Sequence, residues 1–179
     1  LKRHFRSMEA AHKLEAIAWV FHPGLRTGLT YFFPRAEWDR CLRSVRELSA
    51  KAEELGLRIL LENGTEPVPF LLKRVEDFQA FFSELGDEAQ VGLALDIGHA
   101  NLCGQVRDFI EAFPSLIGHV HVHDNDGVSD LHLGIGKGNV DWPSVISGLR
   151  AVGYEGPLVV ESVSDVWESV ELLRRLLSS

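Results

Sequence analysis

Ionisable side chains stand directly after the short apolar runs of this sequence, where they could bind a metal ion or transfer protons. The residues are Glu62, Asp96 and Glu161, together with the alternating run His119, His121 and His123. If the runs are parallel strands, their carboxyl ends meet at one edge, where α/β folds build their sites. Three carboxylates brought together there could not all stay ionised without a cation. Carboxylates combined with an imidazole therefore predict a site for a divalent metal ion.

The spacing of these residues predicts which way their side chains point. Alternate residues of a strand face opposite sides of the sheet, so the three histidines share one face, and Val120 and Val122 share the other. Valines suit the face that helices cover, which leaves the histidines on the inner face of a barrel. The same alternation puts each carboxylate above an apolar residue of that inner face. The alternative is that these residues cap helices or form hydrogen bonds across the rim.

A second group lies in the segment 124–139. Asp130 and His132 are two residues apart there, and His99 follows Asp96 by three residues. Two imidazoles and one carboxylate suit Zn²⁺ or Mn²⁺, although an Asp-x-His pair alone is more typical of a solvated loop. The glycine-rich stretch 134–138 lacks the spacing and the Ser or Thr of a Walker loop, so it predicts a tight turn. Lys137 in this turn could contact an anionic group.

Helical and apolar segments alternate along the chain, which predicts an α/β fold built from parallel βαβ units. Helices are expected at residues 1–14, 34–55, 75–85, 142–152 and from 164 or 165 onward. Strands are expected at residues 16–21, 57–61, 91–95, 116–121 and 157–160, with a further short one at 131–133. Five clear strands are fewer than the eight of a TIM (β/α)8 barrel. We therefore expect an incomplete barrel, with an open doubly wound sheet as the alternative.

Length and composition exclude several classes of protein. The chain has 179 residues, of which 45% are apolar and 25% charged, so we expect a single domain over residues 1–179. The net charge of −8 disfavours a protein that holds nucleic acid on a long basic face. We expect no membrane span, because the apolar runs are short, and no signal peptide. Two cysteines, Cys41 and Cys103, suit a reducing compartment, so we expect a cytoplasmic protein.

Taken together, these motifs resemble the xylose isomerase-like TIM barrels, which include sugar isomerases and epimerases as well as endonuclease IV. The resemblance runs from the His-Pro-Gly of residues 22–24 to Glu161. It implies that the family's metal tetrad is Glu62, Asp96, His121 and Glu161, with His121 chosen because His121 and Asp124 fit a His-x-x-Asp motif. Further ligands of the endonuclease branch match His22, His99, Asp130 and His132. It also implies that about the first two βα units of the barrel are missing here.

The resemblance leaves two enzymatic functions. In the isomerase and epimerase branch, a divalent metal (Mn, Zn, Co or Mg) binds a small sugar or sugar phosphate. Glu62 and Glu161 then move a proton through an enediolate, and His123 and Lys137 are expected to contact the substrate. In the endonuclease branch, Zn²⁺ ions drive hydrolysis of a phosphodiester in abasic DNA, so DNA is a partner only under this alternative.

The charges near the expected site favour the sugar substrate. The segment after His121 carries Asp124, Asp126 and Asp130, with Lys137 as its one basic residue, whereas a DNA-bending enzyme needs basic residues there. The ketohexose 3-epimerases are a poorer match, because they place an Arg in this segment and none stands between His123 and Val140. A third hypothesis is a non-catalytic metal-binding relic. Exposed strand edges in an incomplete barrel would then favour a homo-oligomer.

Overall fold

The computed structural model describes residues 1–86 and 89–178, which form one parallel five-stranded sheet. Its strands are β1 (Ala18–Phe21), β2 (Arg58–Glu62), β3 (Val91–Asp96), β4 (Ile117–Val122) and β5 (Leu158–Val160). They pair in the order in which they occur along the chain. A doubly wound sheet would reverse this order at a switch point, so that alternative is wrong. The sheet is a curled half-barrel with the architecture of a TIM barrel, and it supplies five of the eight strands of a complete barrel.

Seven α-helices of the described residues cover the outer face of this sheet. They are α1 (Lys2–Lys13), α2 (Ala36–Leu55), α3 (Val75–Leu85), α4 (Ile97–Leu102), α5 (Val106–Ala112), α6 (Trp142–Ala151) and α7 (Val166–Ser178). The sequence predicted the long helices, whose apolar residues recur every three or four positions. It did not predict α4 and α5, which are too short to show that period. None of the helices described is long and apolar enough to cross a membrane.

The predicted short strand at 131–133 does not form. The structure has instead a single antiparallel bridge between Asp124 and Leu133, with a hydrogen bond in each direction. The bridge does not extend into a strand, because the flanking carbonyl groups of Asn125 and His132 accept hydrogen bonds from the N–H groups of Asn139 and Val163 instead. The segment 124–139 is therefore a loop between β4 and α6 that is closed at its base.

The strands bury alternate residues against the helices, which fixes the face on which the polar residues lie. Side chains of the outer face, such as Leu61, Leu95 and Val122, are fully buried in the hydrophobic core. Since side chains alternate, Glu62, Asp96 and His121 must face the inside of the half-barrel. Their register keeps them adjacent, because Asp96 pairs directly with His121 across β3 and β4.

Candidate metal centre

Four of the predicted ligands come together at the carboxyl ends of β2 to β5. Centre 1 consists of Glu62, Asp96, His121 and Glu161, and one ligand atom from each lies within 4.8 Å of the others. Nδ1 of His121 lies in the middle of the group. It donates a hydrogen bond to Glu62 Oε1 at 2.9 Å, and lies 3.4 Å from Glu161 Oε1 and 3.9 Å from Asp96 Oδ2. Ligand atoms at this mutual spacing can surround one divalent ion.

A second cluster lies beside the first, where the loop 124–139 meets the start of α4. Centre 2 consists of His99, His123, Asp130 and His132, with ligand atoms again within 4.8 Å of one another. Asp130 joins the group, because Oδ2 lies 3.3 Å from His99 Nε2 and Oδ1 lies 3.4 Å from His132 Nε2. Three imidazoles and one carboxylate are a ligand set that suits zinc.

His22 connects the two centres. Its Nε2 lies 3.5 Å from Glu62 Oε2, and His22, Glu62 and His99 form a third group of ligand atoms within 4.8 Å. The His22 side chain is 44% exposed and stacks on the ring of Phe70, with ring centroids 5.1 Å apart. His22 therefore lies at the open mouth of the site, above the more deeply buried Glu62.

Backbone carbonyls set the orientation of two imidazoles in centre 2. Nδ1 of His99 donates to the carbonyl oxygen of Asn63 at 2.8 Å, and Nδ1 of His132 donates to that of Glu161 at 3.0 Å. Each bond leaves Nε2 of the ring directed at Asp130. A hydrogen bond from the remote ring nitrogen is how proteins fix the tautomer of a metal-binding histidine. His132 also has a positive φ of 45°, a left-handed conformation that is uncommon outside glycine.

The ionisable groups of the site are strongly coupled. Burial alone would lower the pKa of His99, but the hydrogen bond with Asp130 and the charge of Asp96 raise it to about 9. Burial would raise the pKa of Asp130, but His99 and a hydrogen bond from Thr65 lower it to about 2. Asp96 is held below its usual pKa despite complete burial, chiefly by its contact with His123. Without an ion, His99 thus supplies positive charge that balances the neighbouring Asp96 and Asp130.

Several buried polar atoms of these residues have no hydrogen-bond partner in the part of the protein that the structure describes, and a divalent metal ion could bind them. Asp96 Oδ2, Asp130 Oδ1 and His123 Nδ1 are buried without a hydrogen-bond partner among the described residues. Such atoms are costly unless something binds them. The free oxygen of Asp96 faces centre 1, and the free oxygen of Asp130 faces centre 2. The donor atoms present are therefore suited to hold a divalent metal ion.

Two residues expected to contact the substrate lie in different surroundings. His123 is fully buried, with its ring stacked on that of His132 at a centroid distance of 3.8 Å. Lys137 lies in an exposed turn between β4 and α6. The structure brings His123 into centre 2 and does not bring Lys137 to either centre. Substrate contact by these two residues stays a prediction.

Asp124 holds the loop that carries Asp130 and His132. Its carboxylate is fully buried and accepts four hydrogen bonds, from the backbone N–H groups of Asn125, Gly136 and Val140 and from Trp142 Nε1. The sequence pointed to Asp124 as part of a motif but gave no sign of this role. The partners lie up to 18 residues away along the chain, so no local pattern reveals them.

The fold and the site together define a TIM-barrel protein with candidate metal ligands at the carboxyl ends of its strands. Residues 2–177 match the family described as the xylose isomerase-like TIM barrel, and the chain belongs to this family. An uncharacterised protein of Methanocaldococcus jannaschii is 33% identical over 96% of this chain. D-psicose 3-epimerase of Enterocloster bolteae is 29% identical over 68% of this chain and 39% of its own length.

Solved structures agree with the family assignment. A D-tagatose 3-epimerase-like protein superposes with a TM-score of 0.89 at 30% identity, over 97% of this chain and 67% of that one. An L-ribulose 3-epimerase shares the fold, with a TM-score of 0.78 at 23% identity over 99% of this chain and 58% of its own. The chain spans 60% and 65% of the lengths of two curated Methanocaldococcus jannaschii relatives that it matches.

Proposed function

We propose that this chain belongs to a divalent-metal-dependent isomerase or epimerase of a small sugar or sugar phosphate. The observation that carries the proposal is centre 1, where ligand atoms from the ends of four strands lie within 4.8 Å of one another. Relatives and structural neighbours named as ketose 3-epimerases support the same class of reaction. They include D-psicose 3-epimerases, although this chain has no Arg between His123 and Val140.

Glu62, Asp96, His121 and Glu161 would hold the metal ion. Once bound, a divalent ion supplies Lewis-acid chemistry, because it polarises the sugar carbonyl and makes the neighbouring C–H more acidic. Asp96 is completely buried and suits a purely structural ligand. The Glu161 side chain is 35% exposed and the Glu62 side chain 6%, so the two catalytic candidates differ in their access to the mouth.

Glu62 and Glu161 would transfer the proton. One carboxylate removes it from the carbon beside the carbonyl, and the electron pair of that C–H bond moves toward the carbonyl oxygen to give the enediolate of the sugar. Return of a proton to the opposite face of the same carbon gives the epimer. Return to the former carbonyl carbon gives the isomer, when the hydroxyl proton on the neighbouring carbon moves to the former carbonyl oxygen. His121 donates a hydrogen bond to Glu62 and thereby orients one of the two carboxylates.

The charges around the mouth favour a small sugar over a nucleic acid. The nearby cations are paired, since Lys73 lies 2.7 Å from Glu66 and Arg26 lies 3.5 Å from Asp77. Lys137 is exposed and lies outside both centres. A phosphodiester backbone needs several cationic contacts to bind tightly.

Isotope exchange tests this proposal. The protein is incubated with Mn²⁺ or Co²⁺ and with D-psicose, D-tagatose or L-ribulose in D₂O, and deuterium beside the carbonyl is measured by NMR. We expect incorporation with the unchanged protein and none with Glu161→Gln, whose amide oxygen can bind a metal but cannot accept the proton. Glu168→Gln, which changes an exposed residue of α7, is the matched control and should keep full exchange. Absence of exchange from every sugar would contradict the proposal.

Centre 2 favours a second candidate, a zinc phosphodiesterase of the endonuclease IV type. Its imidazoles and carboxylate lie close enough to share an ion, and His22, Glu62 and His99 offer a third group. Clustered ions can stabilise both oxygens of an in-line displacement at phosphorus. This candidate predicts Zn²⁺-dependent nicking of abasic DNA that weakens steeply with salt. If neither nicking nor exchange occurs, a non-catalytic metal-binding protein is the best account.

A further inference from the structure

The side chain of Asn63 forms hydrogen bonds with both the backbone N–H and the backbone C=O of Asp96. Asn63 Nδ2 donates to the carbonyl oxygen of Asp96 at 3.0 Å, and the N–H of Asp96 donates to Asn63 Oδ1 at 2.8 Å. The backbone pairing of β2 with β3 ends at Glu62 and Ala94, one residue before Asn63 and two residues before Asp96. The amide thus extends the pairing of the two strands to the residue that supplies a ligand to centre 1.

The backbone of Asn63 contacts centre 2. The carbonyl oxygen of Asn63 accepts the hydrogen bond from His99 Nδ1 at 2.8 Å, which directs His99 Nε2 at Asp130. Asn63 and Asp96 are both fully buried, and His99 is 5% exposed. One residue therefore contacts a member of each centre through hydrogen bonds that water cannot easily replace.

Replacement of the Asn63 amide would remove both hydrogen bonds to Asp96 and loosen the backbone contact with His99. Without Asn63 Oδ1 and Nδ2, a buried N–H and a buried C=O of Asp96 would lose their partner, and the end of β3 would shift to recover one. The turn at residue 63, which the amide ties to β3, would shift with it, so His99 would lose its fixed orientation as well. Metal ligands that lose such a supporting contact bind their ion more weakly, typically by 10- to 100-fold.

We propose that Asn63 is the positioning residue of both centres, acting on centre 1 through its side-chain amide and on centre 2 through its backbone carbonyl. This inference rests on the proposed metal dependence, and it adds a residue that is neither a ligand nor a proton carrier. It also explains why the residue after Glu62 has a short amide side chain. The amide oxygen and nitrogen match the backbone N–H and C=O of one residue, Asp96, which neither an aspartate nor a leucine could do.

Asn101→Ala provides a matched control for Asn63→Ala. Asn101 also donates two side-chain hydrogen bonds, to Asn125 Oδ1 at 2.7 Å and to Asn139 Oδ1 at 2.8 Å, but neither goes to a member of a centre. Titration of the metal-free proteins with Co²⁺ alone, followed by calorimetry, should show both binding steps weakened 10- to 100-fold in Asn63→Ala. Asn101→Ala should stay within about threefold of the unchanged protein. Equal losses in the two variants would overturn the proposal.

A second measurement needs no variant and no metal. In the unchanged, metal-free protein, NMR should show a slowly exchanging amide for Asp96 and a slowly exchanging Nδ1–H for His99, because both protons are held by Asn63. If either proton exchanges as fast as one in solvent, the proposed role of Asn63 is wrong, even if Asn63→Ala fails to fold. Failure of the unchanged protein to bind Co²⁺ has a different meaning. It would overturn the proposed metal dependence. Slow exchange of both protons would still support the hydrogen bonds of Asn63 to Asp96 and His99.

Discussion

Nε2 of His123 lies 3.1 Å from Oδ1 of Asp96, and this contact joins the two candidate centres. Asp96 directs its other oxygen to centre 1, while His123 lies 3.8 Å from Asp130 of centre 2. A buried imidazole that lies between two carboxylates is coupled electrostatically to both, so a change at one centre alters the electrostatics of the other. The two centres should therefore respond together to changes around His123.

Gly98→Ala tests the position of the His123 ring. A Cβ atom on Gly98 would overlap Cε1 of His123, closer than any two non-bonded carbon atoms can approach. We expect the ring to leave its place, a loss of about 1–3 kcal/mol in the free energy of unfolding, and a lost Co²⁺ step at centre 2. Thermal unfolding and Co²⁺ titration measure these effects.

Gly148→Ala is the control for that substitution. Gly148 also lies in a helix, and the nearest atom to its added Cβ would belong to Ile110, at 3.5 Å. Because alanine favours helix over glycine, the control should gain about 0.5–1 kcal/mol and keep both metal-binding steps. If Gly98→Ala behaves like Gly148→Ala, the His123 ring does not pack against α4 at Gly98.

Asp124→Asn should weaken centre 2 selectively. An amide in place of the carboxylate has only one acceptor oxygen, so two of the four N–H donors around it would lose their partner. We expect a loss of about 1–3 kcal/mol in the free energy of unfolding. Loosening the loop that carries Asp130 and His132 should weaken the Co²⁺ step at centre 2 and leave centre 1 nearly unchanged.

Asp141→Asn is the matched control for the loop variant. Asp141 caps α6 by accepting a hydrogen bond from the N–H of Ser144, and asparagine caps helices about as well as aspartate. Its stability and its Co²⁺ binding should both match those of the unchanged protein. Equal weakening of both centres by Asp124→Asn would contradict the separation of the two centres.

The metal-free protein should lose stability as the pH rises from about 6.5 to 9. The pKa of His99 is raised to about 9 in the folded protein and is about 6.5 in an unfolded chain. The folded state therefore binds the proton more tightly, so this stabilisation is complete below pH 6.5 and is lost as the pH passes 9. Urea unfolding at a series of pH values measures this loss.

His99→Gln separates the contribution of His99 from the rest of the pH dependence. The variant lacks the titrating group, so its stability should fall less over the same range. Metal binding requires the neutral imidazole, so Co²⁺ uptake near pH 7 should release protons from the unchanged protein. A pH profile that His99→Gln leaves unaltered would show that His99 does not carry this charge.

The sequence predicted the inner-face carboxylates because their position follows from local rules. Glu62 and Asp96 end apolar strands, and the alternation of side chains together with the topology of parallel strands puts them at one mouth. The roles of Asn63 and Asp124 could not be predicted in this way. Asn63 acts on a residue 33 positions away, and Asp124 on one 18 positions away, so both depend on how the strands and loops finally pack.

The short helices α4 and α5 could not be predicted from the spacing of apolar residues either. Helix α4 has six residues, and Asp96 is its N-cap, whose carboxylate accepts a hydrogen bond from the N–H of His99. The same aspartate thus ends a strand, caps a helix and faces centre 1. A sequence pattern shows one carboxylate there and does not separate these functions.

The central claim is that Glu62, Asp96, His121 and Glu161 hold one divalent ion. The most direct measurement is a crystal structure of the protein loaded with Mn²⁺, with diffraction data collected at the manganese absorption edge. We predict an anomalous peak surrounded by one atom from each of the four side chains, at roughly 2.0–2.5 Å. A crystal containing Mn²⁺ with no peak among these four residues, or with peaks only elsewhere, would contradict the claim.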